Sequence, residues 1–426
     1  MKVRFLQTLL LGLSLTVGLV FQTLGQTRTW KTAATTTNWN DAANWVEGTV
    51  PTTAASVVVG SCTICPQLTV ATTVTNLTLS SGSGLAIGPY LLTVTGTAFL
   101  NGTTISSSGG IIRGASIGEL ANSVFNGAIT LEKNGDGMNY WSGNNIFNGV
   151  TTINLNCLTG NYSYLRAQVY VGDTFNEDVI FNNLAGTGLA VALGWSGSSL
   201  FRKKVTYNSN NTATYGGGIG KARCEGEVTL NALNSGIGVF AVEFVGPVNL
   251  NLRAAGYYAG NYITIESSTF SGAVRINNTN TQQPQYAFAG IRLGSATYGC
   301  TFAPTASLAI GSDGFYLGDL VLEKCTFQQT TDMNLDLSQG AASPYRVGRL
   351  LLNPGTVFAG KLTATAPRLL LNGARFQSDV VLTKTGAGID NCVGGNRFQK
   401  TVSITNQAGA ASPINMATSY EDLIQQ

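Results

Sequence analysis

FNGAITL at residues 125–131, FNGVTTI at 147–153, FNEDVIF at 175–181 and FRKKVTY at 201–207 are four copies of one pattern. A phenylalanine leads, three turn-like residues follow, and an apolar, a polar and a second apolar residue close the unit. Such alternation, rich in β-branched residues, marks a strand with one buried face. The pattern continues as CEGEVTL at Cys224, FVGPVNL at Phe244, FSGAVRI at Phe270 and FAPTASL at Phe302. FQQTTDM at Phe327, FAGKLTA at Phe358, FQSDVVL at Phe376 and FQKTVSI at Phe398 follow. FLNGTTI at Phe99 reads as the first of thirteen copies, spaced about 25 residues apart on average.

That spacing decides the architecture. Most repeats carry a second short apolar run before the next phenylalanine, as in Val169-Tyr-Val171, Val191-Ala-Leu193, Ile291-Arg-Leu293 and Leu369-Leu-Leu371. Two or three short strands in about 25 residues make one coil of a parallel β-helix, whereas a propeller blade needs roughly 40–50 residues. The sequence therefore predicts an all-β chain: a right-handed parallel β-helix of about 13 coils, on the order of 60 Å long. The phenylalanines should stack as an internal ladder, with Cys224 as a small buried substitute in it. Glycine two residues after the phenylalanine in six copies (Gly127, Gly149, Gly226, Gly246, Gly272, Gly360) suits a tight bend before the strand.

The chain has 426 residues, 52 of them glycine, with 44% hydrophobic and 11% charged residues. This argues against disorder and against a helical bundle. Residues 1–25 read as a signal peptide: Lys2 and Arg4 precede an apolar segment over 5–21, and Thr23 and Gly25 offer a cleavage site. Residues 27–98 read as an N-terminal β cap and first coils, and 99–426 as the repeat domain. The cap is needed because an open solenoid end exposes strand edges. Trp30, Trp39 and Trp45 are expected to pack in it, with sugar binding as the other reading. No later stretch is apolar enough to span a membrane as a helix, so an exported, monomeric protein is expected, secreted or at the cell surface.

Net charge is +3 and no basic block stands out; Arg202-Lys203-Lys204 reads as a solvated turn, so no nucleic-acid partner is expected. The sequence contains no histidine, which removes Ser-His-Asp and Cys-His arrangements and imidazole metal sites. No cofactor or metal is expected. Gly-rich Tyr215-Gly-Gly-Gly-Ile-Gly220 lacks the Lys-Ser/Thr of a phosphate loop. The acidic residues are scattered, with Asp332 and Asp336 the nearest to a pair, which argues against an enzyme. A pectate-lyase-like polysaccharide lyase or a glycoside hydrolase is the alternative. Seven cysteines cannot all pair internally. Cys62 and Cys65 are candidates for a local disulfide. Cys300 and Cys325, each two residues before its phenylalanine, should lie on adjacent coils within disulfide range.

A second aromatic appears 13 to 20 residues after the phenylalanine in successive coils: Trp141, Tyr164, Trp195, Tyr215, Phe240, Tyr258, Tyr286, Tyr316 and Tyr345. A file of exposed rings along a rod could stack on the sugars of a polysaccharide or cell-surface glycan. Internal packing is the alternative.

The segment TWKTAATTTNWNDAANWVEGTVP, followed by Pro66-Gln-Leu68, Asn76-Leu77-Thr-Leu79 and Leu92-Thr-Val94-Thr-Gly96, resembles the opening of secreted bacterial adhesin-like β-helix repeat proteins, often exported by the type IX route. The resemblance is strongest over 27–105. It implies a secreted or surface-bound β-helix with a structural or adhesive role, and it brings no catalytic residues. Such proteins commonly end in a β-sandwich sorting domain; this chain ends at Asp422-Leu-Ile-Gln-Gln426, a departure from that pattern.

Overall fold

A computed structural model of the chain describes residues 25–424 except for 137, 157–163, 186–187, 192–197, 211–216, 253–261, 279–289, 315–317, 339–347 and 417–421. The expected signal peptide and Cys157 lie outside the described residues. The rest is all-β, with parallel strands stacked as a β-solenoid of about 13 turns. Parallel pairing is already present at the start, where Thr27–Thr29 lies beside Ser56–Val59 and Ser56–Val59 beside Asn76–Leu79. No helix among the described residues is long and apolar enough to cross a membrane.

The phenylalanine ladder is the spine of the core. Phe125, Phe147, Phe175 and Phe201 stack face to face, and Phe244, Phe270, Phe302, Phe327, Phe358, Phe376 and Phe398 form a second run. Ring centroids are 4.4 to 5.4 Å apart, the distance set by the spacing of parallel strands. Each stack contributes about 0.5–1.5 kcal/mol beyond the burial of its area. Cys224 is paired with Phe201 below and Phe244 above and is wholly buried, as its place in the repeat implies.

Three copies differ from their sequence alignment. Phe99 is not the first rung: it pairs with Thr78 and Glu119 and is 41% exposed. The rung below Phe125 is Ile105, and below that Leu85, so the ladder begins with aliphatic side chains. After Phe302 it is Leu308, not Ala306, that aligns with Val274, and after Phe327 it is Met333, not Thr331, that aligns with Leu362. Each of these turns holds two extra residues. A shift of two keeps the same side chains inward, so the alternation reads equally well in either register.

The corner before each phenylalanine was not visible in the sequence. Three residues ahead of most ladder positions the chain takes positive φ, at Gly82, Gly102, Asn122, Asn144, Lys221, Ala241, Ser267, Lys324, Gly355, Gly373 and Gly395, though not at Gly172, Ser198 or Gly299. The next residue points inward. This bend carries backbone N–H groups out of the strand ladder, and a buried side chain on the following coil accepts them. Thr103 N donates to Ser123 Oγ (3.3 Å), Ser123 N to Asn145 Oδ1 (3.0 Å), Asn145 N to Asp173 Oδ1 (2.9 Å) and Asp173 N to Ser199 Oγ (3.1 Å). Ala374, Asn396 and Asp422 repeat the arrangement near the other end. A buried N–H left without such a partner costs about 1–3 kcal/mol, which accounts for a polar column inside an apolar core.

The glycines two residues after the phenylalanine serve close approach more than bending. Only Gly127 of the six has positive φ. At Gly246 a Cβ would lie 2.3 Å from Gly226 O, and at Gly272 it would lie 2.4 Å from Gly246 O. Successive coils touch backbone to backbone there, and only a missing side chain permits it.

On the outer face of one sheet, Asn154, Asn182, Asn208, Asn231, Asn251 and Asn277 form a continuous ladder. Each Nδ2 donates to the Oδ1 of the preceding coil at 2.7–2.9 Å. The direction of donation never reverses, so the amide dipoles align and reinforce one another.

Trp30, Trp39 and Trp45 form a plug in the first coils. Trp30 and Trp39 each meet Trp45 edge-on at 5.0 Å, and all three are buried. Trp30 Nε1 donates to Ile64 O and Trp45 Nε1 to Trp39 O, both at 2.8 Å. Buried Asn44 holds the surrounding loop, accepting from Thr35 N and Thr36 N and donating to Thr36 Oγ1 and Asn38 O. Rings so enclosed have no face for a sugar, and the packing reading of the tryptophans holds.

Candidate functional site: a shallow aromatic groove

The aromatic row expected from the sequence is only partly placed. Trp195, Tyr215, Tyr258, Tyr286, Tyr316 and Tyr345 lie outside the described residues. Trp141 and Tyr164 lie in neighbouring strands, Met138–Gly143 and Tyr164–Val171, but not at equivalent positions. Trp141 is level with Ala167, and Tyr164 with Met138. Phe240 is 36% exposed.

Phe240 belongs to an open groove of about 310 Å³, lined by Gly217, Gly218, Gly238, Phe240, Thr264 and Glu266 among others. Three consecutive strands build it: Gly217–Cys224, Ile237–Phe244 and Tyr262–Glu266. In-register pairing places Gly218, Gly238 and Thr264 in one row, and Gly220, Phe240 and Glu266 in the next. The inward neighbours Ile219, Val239 and Ile265 are buried, which turns both rows outward. Phe240 and Glu266 each directly precede a left-handed corner residue, Ala241 and Ser267. The bend leaves both side chains at the rim of the sheet.

Tyr298 is not part of that lining but sets a second ring beside it, against Phe240. It meets Phe240 edge-on at 5.1 Å with the planes at 84°, and it is 45% exposed. Its turn is held by Ser295, whose N donates to Tyr298 O (2.7 Å) and whose Oγ accepts from Tyr298 N (3.1 Å). Tyr298 was missed in the sequence because it follows Phe270 by 28 residues, beyond the interval in which the other aromatics recur. The length of that coil was the available signal.

The floor is bare backbone. A Cβ on Gly218 would lie 1.6 Å from Gly238 O, so coil stacking excludes one. At Gly238 the nearest atom to a Cβ is 3.9 Å away, so a side chain would fit and would fill the groove. Among the described residues no hydrogen bond or ion pair engages the carboxylate of Glu266.

Several other acidic groups are committed to the scaffold. Asp319 pairs with Arg349 at 2.6 Å, Glu132 with Arg113 at 2.8 Å and Glu227 with Lys204 at 3.0 Å. Arg202 also faces an acid on the next coil, Glu225, at 3.7 Å, in keeping with a solvated turn. Asp332 is exposed and faces Lys361 at 3.6 Å, while Asp336 accepts from the backbone and hydroxyl of Ser338. No cluster of three metal-ligating side chains occurs among the described residues.

Cys62 and Cys65 are joined by a disulfide. Cys300 and Cys325 stand on adjacent coils, as the pairing of Thr301 with Thr326 requires. No disulfide joins them: Cys300 Sγ donates to Ile265 O and Cys325 Sγ to Leu293 O. Burial pushes the Cys224 thiol up to about 12 and raises Cys325 as well, so neither forms thiolate at neutral pH. Iodoacetamide at neutral pH should therefore leave Cys224 and Cys325 unmodified in the folded chain and modify both after denaturation. Peptide mass mapping reads the outcome, and labelling of the folded chain at either residue would contradict this placement.

No family model, no curated protein and no solved structure matches the chain.

Proposed function

We propose that this protein is an exported, surface-acting β-solenoid of structural and adhesive character that binds polysaccharide at the Phe240–Tyr298 groove. The observation that carries the reading is a pair of exposed rings beside a side-chain-free floor on an otherwise regular rod. Aromatic rings offer apolar faces to the C–H surfaces of sugars, and a floor without side chains lets a chain lie close to the backbone. Export is supported by the signal-peptide-like start and by the Cys62–Cys65 disulfide, a bond that persists in oxidising compartments.

Pull-down on a panel of insoluble polysaccharides tests the reading. Wild type should be retained by at least one of them. Tyr298→Ala, which removes one ring, and Gly238→Val, which fills the floor, should each lower retention. Valine suits a strand, and a Cβ at Gly238 meets no atom closer than 3.9 Å; circular dichroism of the variant checks that it folds. Unchanged retention in both variants would refute the groove as the binding site.

A further inference from the structure

We propose that the groove is selective for a protonated amino sugar, with Glu266 as the counter-charge of its ammonium group; this rests on the glycan-binding reading and narrows it. Two rings at 84° form a corner rather than a platform. A neutral pyranose stacks best on one flat face, whereas a compact cation gains from aromatic surfaces on more than one side. The third side of the corner is Glu266, which pairs with Phe240 on the adjacent strand and stands one strand spacing away, about 5 Å.

Most other acidic groups close to this face already have partners. Arg223 engages both Glu225 and Glu243. The nearest base on the groove's own row is Arg292, one coil beyond Thr264, and it makes no ion pair with Glu266 among the described residues. A carboxylate that a ligand covers must be compensated, and an ammonium does this with a charge-assisted hydrogen bond. The sugar ring carrying that ammonium would lie over Gly218 and Gly238. The chain as a whole carries a net charge of +3, which disfavours general attraction of a polycation, so retention of one must come from a local site.

Titration calorimetry with soluble glucosamine oligomers and their N-acetylated counterparts tests the proposal. Wild type should bind the free amine form more tightly. Glu266→Gln should weaken that binding about two- to fivefold and leave the N-acetylated oligomer unchanged. Glu227→Gln, at an acid outside the groove, should alter neither. Equal wild-type affinity for the two oligomers, or no effect of Glu266→Gln, would overturn the amino-sugar assignment while leaving glycan binding in place. Binding of lysine oligomers without glucosamine oligomers would overturn it in favour of a basic peptide. Failure to bind any saccharide overturns both the assignment and the reading beneath it.

Discussion

Replacing Phe175 with alanine is expected to destabilise the solenoid by about 3–5 kcal/mol, the usual cost of emptying a buried aromatic site. Phe175 is 1% exposed and touches three rings. Phe147 stacks on one face at 4.5 Å, Phe201 on the other at 4.9 Å, and Phe181 meets it edge-on at 6.1 Å. The strands that carry them are pinned by their own hydrogen bonds, so the walls cannot collapse into the gap. In a stacked-repeat protein the loss falls on one coil and its neighbours. Hydrogen exchange should therefore quicken first in Thr151–Asn156, Val179–Ala185 and Val205–Ser209. A loss under about 1 kcal/mol in urea titration would mean that the ladder does not sustain the core.

Asp390→Ala should cost as much by a different route. Asp390 and Lys384 are both fully buried, with Lys384 Nζ donating to Asp390 Oδ2 at 2.8 Å. The same carboxylate accepts from Arg368 Nε and from Leu369 N. Truncating it leaves a buried ammonium with no counter-charge, a defect worth about 3–5 kcal/mol. The double variant Lys384→Met, Asp390→Leu removes the buried ammonium together with its counter-charge and should recover part of this loss, the remainder being the cost of leaving Leu369 N and Arg368 without their acceptor. Denaturant titration of both single variants and the double variant measures the coupling directly. A double variant as unstable as Asp390→Ala alone would show that the cluster contributes more than self-compensation.

Lys384 also shows where reading the sequence stops. It lies eight residues after Phe376 and Lys133 lies eight after Phe125, an inward position that holds Leu155, Ala232 and Leu252 in other coils. A lysine in a β-rich sequence reads as solvent-exposed. Nothing local says that its ammonium is met inside by Asp390, which stands in the short strand Asp390–Asn391 six residues on. The polar column of Ser123, Asn145, Asp173 and Ser199 was hidden for the same reason. Its residues look like turn residues, and the inward direction of Ser123 and Asn145 follows from left-handed corners at Asn122 and Asn144.

The solenoid itself was legible in the phenylalanines, because a residue that recurs once per coil and must stack on its own copies leaves a period in the chain. Burial of Cys224 and the adjacency of Cys300 and Cys325 followed from that period alone. Register did not follow where turns differ by two residues, as after Phe302 and Phe327, since an even shift preserves the alternation. The groove was half visible. Phe240 fell within the aromatic recurrence, but Tyr298 did not, and the two meet only because coils of 20 to 32 residues are stacked in space. Sequence alone determined the inward face of the apolar repeat strands from Phe125 onward, since burial of apolar side chains in a strand requires alternation. Which outward groups from different coils meet, and so where a ligand could lie, was decided by the lengths and bends of the turns.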